Sequence, residues 1–158
     1  MSLKHKILLG LAAILIAMQF FQPLSDQSNK ASDASIERMY MVPQEVKAIL
    51  VRSCYDCHSN HVVYPWYYYI QPLGWYVAAH IKEGKKELNF SEFGTYSTRK
   101  QRNKFRSMLN QVKNGEMPLT SYTLVHRKAV LSKEEKQVLM DWFNQMEEQS
   151  TKVGQSNN

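Results

Sequence analysis

Cysteine is scarce in this chain: its 158 residues contain two. Two thiols cannot build the framework of a disulfide-rich scaffold, and alone they cannot complete a structural zinc site. Six glycines and five prolines exclude a collagen-like or low-complexity polymer. No internal repeat is visible, and a second domain with its own core would need at least ~50 further residues. What is present, 44% apolar and 22% charged, suits one compact domain with short appendages.

Lys4, His5 and Lys6 precede an apolar run from Ile7 to Phe21 that only Gly10 and Gln19 interrupt. This is the pattern of a secretory signal peptide or an N-terminal membrane anchor over residues 1–22. A helix over the run rises about 22 Å, short of a ~30 Å hydrocarbon core, which favours a removed signal. Gln19, Phe20, Phe21 and Gln22 stand where small residues would mark cleavage, which favours an anchor. No Cys follows the run, so lipid modification there is excluded. Either alternative places the domain in the periplasm, with the positive end inside. Residues 23–38, polar and Ser-rich, have the composition of a flexible linker, and residues 150–158 that of a disordered tail. The domain is expected over 39–149. Net charge is +6, or +4 for residues 23–158 once Lys4 and Lys6 are set aside. That balance suits acidic partners or anionic headgroups. An exported chain has no nucleic acid to meet, and the basic run Arg99, Lys100, Arg102, Lys104, Arg106 reads as a solvated helix face.

Periodicity predicts about four helices joined by long loops. Pro43–Cys54 carries Val46, Ile49 and Leu50 on one stripe; Gly74–Gly84 turns Val77, Ala78 and Ile81 inward; Thr98–Lys113 has Phe105, Met108, Leu109 and Val112, with Gly115 as its cap. The last helix starts at Ser132 with Glu135 three residues on, a capping box, followed by Val138, Leu139, Trp142, Phe143 and Met146. Between the first two lies a block of rings from His61 to Trp75, dense enough to pack on something large and flat. Long loops in so small a domain are uncommon unless they are functional or wrap a cofactor.

Both cysteines fall in one pentapeptide, Cys54-Tyr55-Asp56-Cys57-His58, the attachment pattern of c-type haem. Thiols at i and i+3 share one side of a helical turn and can each add to a porphyrin vinyl group. The following imidazole then lies under the iron as proximal ligand. Three blander readings share the residues: a thioredoxin-type pair, which lacks its βαβ context; half a zinc site, for which His61, His80 and His126 are too scattered; and a plain disulfide.

Downstream stand Gly115-Glu116-Met117-Pro118 and the capped final helix. The order resembles class I cytochromes c, in which a Met before the C-terminal helix is the distal ligand and that helix crosses the one preceding the haem motif. The resemblance implies Met117 as sixth ligand, against the common use of Met as core filler. Asn60-His61, Tyr64-Pro65-Trp66-Tyr67, Ile70-x-Pro72, Trp75, His80-Ile81-x-x-Gly84, Leu88-Asn89-Phe90-Ser91, Tyr122 and His126 are similar to a family of small haem-binding domains in exported bacterial proteins. That similarity covers Val42 to Phe143 and implies one covalently attached haem c within an all-α, cytochrome c-like bundle. His80 is the alternative distal ligand or else a hydrogen-bonded structural residue. Trp66, Trp75, Tyr67 and Tyr122 are candidates for the haem pocket. The expected role is transfer of single electrons between periplasmic or membrane partner proteins. The alternative is a peroxidase or a gas or redox sensor with an open sixth position.

Overall fold

A computed structural model describes residues 2–25 and 33–156. Its α-helices in chain order are α1 (Leu3–Met18), α2 (Ile36–Met39), α3 (Gln44–Ser53), α4 (Tyr55–His58), α5 (Leu73–Glu87), α6 (Thr98–Asn114), α7 (Thr120–Val125) and α8 (Lys133–Ser156). Short 3-10 turns occupy Trp66–Tyr69, Phe90–Thr95 and Arg127–Ala129. Among the described residues the regular structure is all helical. The four expected helices are α3, α5, α6 and α8; the remaining short elements of the domain lie within what the sequence presents as loops.

The core is made chiefly by α6 against α8. Phe105, Met108 and Val112 from α6 meet Leu139, Trp142, Phe143 and Met146 from α8, all buried. The Phe105 and Trp142 rings meet edge to face at 5.8 Å. Gly115 ends α6 at φ +72°, a left-handed conformation for which glycine is the ordinary choice. The capping box forms as its residues dictate: the Glu135 N–H donates to Ser132 Oγ (3.1 Å), and the Ser132 N–H donates to Glu135 Oε2 (2.9 Å). Glu135 Oε1 also takes a 2.8 Å contact from Arg52, tying α3 to α8. The Ser132 N–H and Arg52 together hold the Glu135 carboxyl below the ordinary carboxylate range. Ser132→Ala is therefore expected to lower the stability of the holoprotein by about 1 kcal/mol, read by urea denaturation.

The structure departs from the expected boundaries at both ends of the domain. Residues 34–38 are not linker: the Gly94 N–H donates to the Ala34 carbonyl at 2.7 Å, and Ile36 is fully buried. A single isoleucine among polar residues has no period to reveal it. At the other end α8 runs past residue 149 to Ser156, because Ser150 is buried beside Tyr40 and donates to the Met146 carbonyl at 2.8 Å. The aromatic block splits: Tyr68 is buried, whereas Trp66 is 74% exposed and Tyr69 and Trp75 are also exposed. Helix α1 buries none of its residues, and no described helix is long and apolar enough to cross a membrane.

Candidate functional site

Helix α3 breaks at Cys54, whose φ of −128° ends one helix and begins the single turn of α4. The Cys57 and His58 N–H groups both donate to the Cys54 carbonyl, at 3.2 and 3.0 Å. The two thiols are consequently presented from one turn, unjoined and half-buried, on the wall of one cavity. Burial, reinforced by Cys57, pushes the Cys54 thiol up to about 12; burial pushes Cys57 up to about 11.

His58 is oriented by α5. Its Nδ1 lies 2.9 Å from the Gly84 carbonyl and 3.1 Å from that of Leu88. Carbonyl oxygens only accept, so Nδ1 carries the proton and Nε2 keeps its lone pair, as a metal-binding imidazole requires. Burial holds the ring's pKa below the ordinary value, which keeps it neutral. The close approach depends on the lack of a side chain at position 84: a Cβ there would sit 2.7 Å from the Cys57 carbonyl oxygen. Gly84→Ala is expected to force α5 away from the motif and destabilise the fold by about 1–3 kcal/mol, measured by denaturant titration.

Across the cavity the end of α6 fixes the distal loop. The Gln111 carbonyl accepts from the Glu116 and Met117 N–H groups at 2.9 and 3.3 Å. Met117, half-buried, thereby lines the cavity that also holds Cys54, Cys57 and His58. The cavity measures about 480 Å³. Most of its wall is apolar, with Lys104, Ser107 and Gln111 as polar points along α6. His80 lines it too, and its Nδ1 donates to the Tyr76 carbonyl at 2.8 Å. Tyr122 lines the same space and donates from its hydroxyl to Asp56 Oδ2 at 2.7 Å. Burial and that carboxylate raise the tyrosine's pKa. The Tyr122 ring stacks on His126 at 4.3 Å, and His126 Nε2 is hydrogen-bonded to the Tyr67 hydroxyl at 2.7 Å.

The expected pocket aromatics therefore divide. Tyr122 lines both the main cavity and an adjoining one of about 330 Å³, which Tyr67 and Trp66 also line; Trp75 lines neither and donates its indole N–H to the Phe21 carbonyl at 2.7 Å. Sequence reasoning missed Asp56, Lys104 and Gln111 as site residues. Asp56 is one of the two variable positions of its motif and carries no signal. Lys104 looks like its basic neighbours, yet it is mostly covered and lies 3.5 Å from Glu87.

An apolar cleft with an imidazole nitrogen and a thioether among its walls, and two thiols at its edge, has the donor chemistry of a protein that buries an iron macrocycle. The chemistry of this donor set fits haem, and the fold that carries it is all helical. The comparison with known families is more particular: the haem-binding domain family matches residues 13–145, and the chain belongs to it. No curated protein and no solved structure matches the chain.

Proposed function

We propose that the chain is an exported monohaem c-type cytochrome that passes single electrons between periplasmic or membrane partners. The observation that carries this is the convergence of Cys54, Cys57, His58 and Met117 on one cavity, with the His58 Nδ1 proton already committed to two carbonyls. Cys54 and Cys57 would hold the haem covalently through thioether links. His58 through Nε2 and Met117 through its sulfur would hold the iron. When bound, haem supplies the ferric–ferrous couple, and a thioether ligand raises its potential relative to a second imidazole. Met108, Val112, Leu119 and Phe143 would pack apolar side chains against it. Acidic redox partners suit the net charge of +6.

The rival reading is a sensor or peroxidase in which Met117 leaves the sixth position open. It draws support from His80, a second imidazole on the same cavity. Optical spectra of the purified holoprotein, oxidised and reduced, separate the two. A low-spin ferric form whose reduced state ignores CO supports the carrier; a high-spin ferric form overturns it in favour of the rival.

A further inference from the structure

The segment leaving α1 is fastened to the domain. Gln19 Oε1 accepts from the Gln71 N–H at 2.9 Å, and its Nε2 donates to the Gln71 carbonyl at 3.2 Å. Gln22 Oε1 accepts from Gln71 Nε2 at 2.9 Å, and its Nε2 donates to the Tyr69 carbonyl at 3.3 Å. The Trp75 indole adds its bond to Phe21. Gln71 is buried in this clamp. The helical winding continues beyond α1, with the Gln19, Phe20 and Phe21 N–H groups donating three residues back. A cleaved leader would have no use for these bonds, and the family match begins inside α1, at residue 13.

Around the clamp the domain exposes Trp66, Tyr69, Ile70, Leu73, Tyr76 and Val125. Four of these, Trp66, Leu73, Tyr76 and Val125, stand together at the exposed rim of the 330 Å³ cavity whose wall also includes Cys57 and His80; Tyr69, whose carbonyl accepts from Gln22, and Ile70, next to Gln71, adjoin the clamp. Tryptophan and tyrosine beside aliphatic residues are the composition of the bilayer interface, where rings sit among headgroups. Helix α1, of 16 residues, rises about 24 Å against a hydrocarbon core of ~30 Å. A segment that short is matched by local thinning and by drawing its flanking residues down to the headgroups. The residues drawn down here are those of the clamp and the face around it.

We infer that α1 is retained in the mature protein and that the clamp seats this face, Trp66 to Tyr76 with Val125, on the outer surface of the membrane that α1 enters. The inference shares with the proposed function only the export of the domain, and it holds whether or not haem is covalently attached. Its occupant is a phospholipid bilayer. A second copy of the chain on the same face is the competing outcome.

The test uses the full-length holoprotein reconstituted in phosphatidylethanolamine–phosphatidylglycerol vesicles that carry a diazirine-tagged phospholipid. After photolysis, mass spectrometry is expected to find lipid adducts on α1 and also on residues 66–76 and Val125. Replacing Gln19 and Gln22 together by Ala opens the clamp without touching the core; adducts on α1 then persist while those on 66–76 are lost. Three results overturn the inference: a mature N-terminus beyond residue 22, adducts confined to α1 in the wild type, or protein–protein cross-links through residues 66–76 in place of lipid adducts. Haem content of the same sample, measured by its absorption, reports separately on the cofactor reading.

Discussion

Protein matured in a host that assembles c-type cytochromes is expected to keep its haem through acid–acetone extraction, with one haem mass added to the polypeptide. Cys54→Ala combined with Cys57→Ala should release all of it. The reason is geometric. Both thiols project from the single turn that begins at Cys54, and both line the cavity that His58 and Met117 share. With both tethers gone, retention rests on ligation by His58 and on burial, which acid removes by protonating the imidazole and unfolding the chain. Each single substitution leaves one thioether and an intermediate yield. His58→Ala, by contrast, leaves the tethers and removes the proximal ligand, so the iron becomes high-spin or maturation stops. Freely extractable haem in the wild type would remove the covalent reading while leaving family membership untouched.

The second large effect belongs to Met117. Its loop is held by the Gln111 carbonyl on one side and by Leu119 and α7 on the other, so the thioether is presented without a helix of its own. Met117→Ala should convert low-spin ferric iron to high-spin, or let another base in, and open the iron to CO and cyanide. The reduction potential should fall by on the order of 100 mV, a fraction of the ~0.8 V that axial ligands span among haem proteins. His80→Ala should leave the low-spin spectrum in place, since Met117 and not His80 is the proposed distal ligand, although both line the cavity. The reverse pattern, loss of low-spin iron with His80→Ala and none with Met117→Ala, would establish a bis-histidine site instead. Visible absorption, paramagnetic resonance and voltammetry on the same three proteins read all of these outcomes.

The parts of the structure legible in the sequence are those whose signals are local. A capping box, a glycine after an amphipathic stretch and a 3.6-residue period mark α6 and α8 with little ambiguity, because each depends on residues within a few positions of one another. The cysteine–histidine turn is legible for the same reason. Less local facts were hidden. Ile36 enters the core alone, and Ser150 is buried through Tyr40, 110 residues away. The aromatic block reads as packing material, yet Trp66 faces outward and Trp75 is occupied with Phe21, a partner 54 residues earlier. Gly84 looks like the end of a helix; its place inside α5, against the Cys57 carbonyl, is a property of two elements brought together.

Asp56 lies between the two cysteines, and the Tyr122 hydroxyl closes on its carboxylate from the far end of the distal loop. Tyr122 and both thiols line the same cavity, so this one bond couples the turn that carries Cys54 and Cys57 to α7 and makes two parts of the cavity wall move as a unit.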